Sequence, residues 1–288
     1  MSQSRVARDV ATVVDDNGWS KTWTRRQELR LSVAEVPAEA PRLRYDNGRE
    51  AVQEELSSTR RTARIVGMLV LGGYLTYGVG NAIATGIAAA PGYLSNVSTS
   101  TLFTASAVWM LLNSALVIGI GALMLPILWP HNKNIALGYF ATRIFEGIIL
   151  AVGVISLLSL VIVSRSYTEA GAADASYFET LRALAINGNF MAYNVAMVGL
   201  GLGSLFFCYL LFRSNLVPRF LAVWGLVGYA IFATGCVLEI LGFAGTGLVA
   251  TIPGGLFEIF FGIWLIAKGF NPSAITIGAA KTAGVLTP

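Results

Sequence analysis

Six apolar runs, each long enough to cross a lipid bilayer, dominate this chain of 288 residues. A helix needs about 20 predominantly apolar residues to span a hydrocarbon core about 30 Å thick. Arg64–Ala88, Leu102–Trp129, Ala136–Val163, Asn189–Phe212, Arg219–Phe243 and Leu248–Phe270 meet that requirement. Only 12% of the residues are charged, against about 25% in soluble domains. The expected fold is therefore all-α: a polytopic integral membrane bundle of six transmembrane helices.

Charge is concentrated at one end. Residues 1–64 hold twelve of the twenty Lys and Arg and ten of the sixteen Asp and Glu. The net charge of +4 is thus no nucleic-acid footprint, and its distribution reads as membrane topology. Arg60, Arg61 and Arg64 precede the first run, and His131 and Lys133 occupy the second loop. Arg213 and Arg219 flank the fourth loop, and Lys268 ends the sixth run. The first and fifth loops are uncharged; in the third, Glu169, Asp174 and Glu179 offset Arg165 and Arg182. Basic residues mark the cytoplasmic side, so both termini are expected there, in a multi-pass protein of the cell (plasma or inner) membrane. No signal peptide is expected ahead of the first apolar run.

Three regions follow: a largely irregular cytoplasmic extension over 1–59, a six-helix domain over 60–270 and a cytoplasmic tail over 271–288. In the extension, mixed charge, Pro37, Pro41 and a turn at 46-DNG-48 argue against a packed domain. Trp19, Trp23, Leu29 and Val33 would share one face of a helix, a candidate membrane-surface segment, although Arg26 and Arg30 fall on the same arc. Asn187-Gly188-Asn189 divides a surface helix over 175–186, with Phe178, Leu181 and Leu184 toward lipid, from the fourth span. Pro253-Gly254-Gly255 kinks the sixth span or delays its start. Gly199-Leu-Gly-Leu-Gly203 and Gly80-Asn-Ala-Ile-Ala84 permit close helix approach.

The run from Asn189 to Tyr229, followed by 253-PGGLFEIFFGIWLIAKGFNP-272, resembles a bacterial family of six-helix integral membrane proteins, the domain-of-unknown-function 4386 family. The matching features are Phe212-Arg213-Ser214 and Val217-Pro218-Arg219 between the fourth and fifth helices. A proline-led last helix adds Pro253, Glu258 and Trp264 through Phe270. The likeness covers roughly residues 60–272. It implies six helices and draws attention to Glu258, but implies no activity.

Four ionisable residues lie inside the spans: Arg143, Glu146, Glu239 and Glu258. Each costs about 2.5–3.5 kcal/mol on insertion scales and by default faces the bundle interior or water. At about 1.5 Å per residue, Arg143 lies roughly 10 Å from the cytoplasmic side, and Glu146 and Glu258 roughly 15 Å. Arg143 and Glu146, spaced i,i+3, share a helix face and can neutralise each other. Glu258 in the same layer leaves one surplus negative charge, to be relieved by a proton, a cation or a cationic ligand group. Two readings stand: helix-to-helix glue with one protonated glutamate, or a ligand or ion site formed by Arg143, Glu146 and Glu258. Glu239, roughly 30 Å from the cytoplasmic side, joins Asn81, Asn113, Asn189 and Asn194 in an expected outer polar layer. That layer supplies interhelical hydrogen bonds or lines a vestibule. Phe145-Glu146 and Phe257-Glu258 hint weakly at an inverted repeat.

No catalytic residue or metal ligand set is expected. The chain lacks H-E-x-x-H, G-x-S-x-G, paired intramembrane aspartates and a phosphate loop. Its single histidine excludes histidine-rich metal and bis-histidine haem sites within one chain, and Cys208 and Cys236 read as small hydrophobes. Any cofactor is unknown. Three functions remain: a small-solute, ion or lipid-binding or transport-like protein; an accessory subunit of a larger membrane complex; and a membrane enzyme of unrecognised type. The bilayer is the expected partner, with protein partners through residues 1–59 or the lipid-facing helices, and no nucleic acid.

Overall fold

The computed structural model describes residues 10–14, 20–24, 39–170 and 175–282. The chain divides into two compact units, Met1–Glu55 and Leu56–Pro288. In the first, β1 (Val10–Val14) pairs antiparallel with β2 (Ser20–Thr24), Val10 opposite Thr24 and Ala11 opposite Trp23. Both segments are rich in Val and Thr, which suit a pleated backbone. Trp23 therefore belongs to a strand, not to the helical face expected for it; Trp19, Leu29 and Val33 lie outside the described residues. Helix α1 (Glu39–Gly73) runs through 46-DNG-48, where a turn was expected. Gly48 costs a helix about 1 kcal/mol, and the run of Glu, Gln, Arg and Ala after it outweighs that.

In the second unit, α1 passes without a break into a π-helical segment, Tyr74–Val79, and then α2 (Gly80–Ala89). A short helix α3 (Tyr93–Asn96) and a 3-10 turn lead to α4 (Thr101–Leu128). There follow α5 (Lys133–Glu169), α6 (Ala175–Ser214), α7 (Arg219–Ile240), α8 (Thr246–Ala267) and α9 (Pro272–Thr282). Six helical stretches are long and apolar enough to cross a membrane. Large apolar side chains along them point outward, among them Leu248 at 79% exposure and Ile162 at 68%. Together with the length of the helices, such a surface suits a lipid solvent.

Capping fixes where the helices begin. The side chains of Ser100 and Asn132 accept from Phe103 N and Ile135 N at 3.2 and 3.0 Å, starting α4 and α5. Gly269, at φ 72°, ends α8 by donating to Trp264 O. Helices α4 to α8 pack in sequence order. The first span closes the ring: Gly67 lies against Gly262 of α8, and Gly80 against Ser106 and Met110 of α4.

Two expected interruptions are absent. Helix α6 is continuous across Asn187–Asn189, because tertiary contacts use these residues. Ser156 Oγ occupies the place of a Cβ on Gly188, and Asn189 Nδ2 donates to Asn81 Oδ1 at 2.9 Å. At 40 residues, α6 is about 60 Å long, and its first turns continue the fourth span instead of forming a separate helix. There Phe178 is buried, not turned to lipid; Leu184 does face outward. Arg182 donates to Ala88 O at 3.1 Å and stacks over Tyr93. Helix α8 likewise runs unbroken through Pro253. Helix α7 packs closely on this stretch: Trp224 Nε1 donates to Pro253 O at 3.1 Å, and Gly228 lies against Gly254.

Candidate functional site

A cavity of about 290 Å³ lies inside the ring, bounded by all six spans. Helix α5 supplies Tyr139, Arg143 and Glu146, whose i, i+4, i+7 spacing puts them on one face. Arg143 Nη1 donates to Glu146 Oε2 at 2.9 Å, and Nε to Tyr139 Oη at 3.0 Å. Both members of the ion pair are buried. Gly121 of α4 makes room for this cluster, since a Cβ there would stand 2.8 Å from Arg143 Cβ.

Glu258 faces the same cavity from α8. Its Oε1 accepts from Tyr229 Oη at 2.6 Å and its Oε2 from Tyr74 Oη at 2.7 Å. Two phenols from the first and fifth spans thus hold one carboxylate of the sixth. Arg143 is ten residues into α5 and Glu258 nine from the end of α8. Each is therefore about 15 Å from one face of the bundle. That face is common to both helices, because Gly278 beyond α8 packs on Pro130 and His131 before α5.

The remaining walls are aromatic and aliphatic. Tyr77 stacks on Tyr193 at 5.5 Å between ring centres, and Tyr139 on Phe207 at 4.3 Å. Phe261 meets the edge of Phe207. Tyr74, Tyr77 and Gly78 come from the π-helical segment. Such segments are uncommon and recur at functional sites, because they displace side chains from the α-helical register. Trp109 Nε1 donates to the Leu75 carbonyl in this turn at 3.2 Å. The cavity's more exposed edge lies where Tyr74 and Gly78 of the first span face Gly255 and Glu258 of the sixth.

Arg143, Glu146 and Glu258 thus line one cavity, whereas the expected outer polar layer separates into three places. Asn113 lines the cavity, its Oδ1 accepting from Thr76 Oγ1 at 3.4 Å. Asn81 and Asn189 pair with each other. Asn194 donates to Phe190 O within its own helix, and its Oδ1 lies near Gly247. Glu239 is buried and accepts from Gly245 N at 3.1 Å and Gly247 N at 2.9 Å. It therefore satisfies orphan amides at the start of α8, a structural duty. The two Phe-Glu dipeptides are not equivalent either, since Phe145 is exposed and Phe257 buried.

The tyrosines were missed in the sequence. Tyr139, four residues before Arg143, carried a usable signal; Tyr74 and Tyr229 became partners of Glu258 only through helix rotation.

These features define a polytopic helical membrane protein with a largely apolar cavity inside its bundle that holds a few buried polar groups. The family described as a domain of unknown function (DUF4386) matches residues 65–269, and the chain belongs to it. Neither a curated protein nor a solved structure matches the chain.

Proposed function

We propose that the bundle is a non-enzymatic binding or transport-like protein that takes a small solute, ion or lipid into the cavity bounded by Arg143, Glu146 and Glu258. The observation that carries this reading is the convergence of polar groups from all six spans on one space at mid-depth. Ligand sites are mostly apolar cavities, about 300–1,000 Å³ in volume, with a few placed polar groups. A cavity of about 290 Å³ stands at the small end of that range. Purely structural glue would instead fill the same space with packed side chains.

The membrane is the cell (plasma or inner) membrane, with both termini cytoplasmic. The basic groups support this, because their loops share one face of the bundle. Asn271 N donates to Leu216 O at 2.9 Å, and Gly269 sits against Ala63 and Arg60.

Native mass spectrometry of the protein gently extracted from its own membrane tests the reading. A reproducible small mass, lost in Gly255→Leu, is the expected result. A Cβ on Gly255 fits, 3.4 Å from Tyr74 Oη, and the longer side chain then obstructs the cavity. Absence of any bound mass, with other subunits co-eluting at fixed ratio, would establish the accessory-subunit alternative instead.

A further inference from the structure

We infer that the cavity selects an organic monocation, an amine or quaternary ammonium with an apolar body, whose charged end sits at Glu258. This rests on the proposed reading of the cavity as a binding site. Two independent features point to that charge and shape.

The first is charge balance. Arg143 is engaged by Glu146 on one nitrogen and by Tyr139 on another, so that pair is neutral. Among the described residues no ion pair reaches Glu258. Its two phenol partners orient the carboxylate but bring no positive charge. An occupant carrying one positive charge completes the set, and an anion would meet an unmatched carboxylate in a low-dielectric space.

The second is the wall. Tyr74, Tyr77, Tyr193 and Tyr229 all line the cavity. The faces of such rings attract cations, and aromatic enclosures are the recurring solution for quaternary ammonium groups. Phe207 and Phe261 extend the apolar surface for the rest of the ligand. Access runs between the first and sixth spans. Tyr74, 37% exposed, stands there with its hydroxyl already on Glu258, so a ligand passing this point meets the carboxylate directly.

The test uses the full chain in nanodiscs and three probes: benzyltrimethylammonium, its uncharged carbon isostere neopentylbenzene, and benzenesulfonate. Binding is read at matched aqueous activity. The cation is expected to bind wild type at least tenfold more tightly than the isostere, and Glu258→Gln to abolish that preference while leaving the isostere unchanged. Tyr77→Leu, which keeps every charge, is expected to weaken the cation several-fold and the isostere little, so the inference is tested even if Glu258→Gln does not fold. Equal or tighter binding of the isostere or the sulfonate, untouched by Tyr77→Leu, overturns the cation assignment and leaves the cavity reading standing. Failure of all three probes on wild type overturns the cation assignment; paired with no native bound mass, it overturns the cavity reading as well.

Discussion

Replacing Gly67 with alanine tests the contact on which the site's geometry depends. A Cβ there would stand 2.5 Å from Gly262 O, 2.8 Å from Ile266 Cγ1 and 3.3 Å from Ile266 N. Two of these atoms are backbone and cannot rotate away. A carbon approaches a carbonyl oxygen to about 3.3 Å, so α1 and α8 must part by roughly 0.8 Å. Forcing an extra methyl into a packed interior costs about 1–3 kcal/mol, and a clash with unyielding backbone puts this case in the upper part, about 2–3 kcal/mol. The better helix propensity of alanine returns about 1 kcal/mol. Gly67→Ala should therefore be less stable than wild type by about 1–2 kcal/mol.

Gly138→Ala in α5 supplies the control, because a Cβ there meets nothing within 4 Å. It should be neutral or stabilised by up to about 1 kcal/mol. Reversible unfolding in mixed micelles with rising SDS measures both, and the two variants should differ in sign. Tyr74 follows Gly67 by two turns along the same helix, so parting the helices should also lengthen the 2.7 Å contact between Tyr74 and Glu258 and weaken ligand retention. A Gly67→Ala protein as stable as wild type would refute the close crossing and the geometry of the cavity edge built on it.

Removing one partner of a buried ion pair costs about 3–5 kcal/mol, so Arg143→Met and Glu146→Met should each destabilise strongly. The double variant should be milder than the sum, which a double-mutant cycle in the same micelles would show. Glu239→Gln should lower the unfolding midpoint, and Glu239→Ala should lower it further, because Gly247 N–H is then left unpaired; neither should change the mass retained in native spectra. Reporter fusions after Arg61, in the Pro130–Asn132 loop and after Lys268 should all report one side of the membrane, and a fusion in the 242–245 loop the other.

The number of spans was legible because a bilayer imposes a one-dimensional rule: length and hydropathy along the chain decide what crosses. Depth is also one-dimensional, so Arg143, Glu146 and Glu258 could be placed in one layer by counting residues. Rotation about each helix axis is not. Asn113 and Asn194 were assigned one depth, yet one faces the cavity and the other bonds within its own helix. The interruption expected at Asn187–Asn189 misapplied a rule learned from water, where Asn and Gly favour turns. Within the bundle the same residues admit Ser156 and hold Asn81. The tyrosines escaped notice because a phenol is nearly as apolar as its surroundings until its hydroxyl finds a carboxylate.

The four intramembrane ionisable groups separate by what each contacts. Glu239 is held by backbone amides at the start of α8, from Gly245 and Gly247. Arg143 and Glu146 neutralise each other across one helical turn, which lowers the insertion cost that makes isolated charges rare in membranes. Glu258 alone is met only by neutral hydroxyls, from Tyr74 and Tyr229. A residue needed merely for packing could be replaced there by glutamine, whose Oε1 accepts from one phenol and whose Nε2 donates to the oxygen of the other, without a charge to desolvate. The test of function is therefore specific to that substitution: Glu258→Gln should fold at least as well as wild type and lose the ligand. A variant that folds and retains the ligand would return Glu258 to the role of interhelical glue.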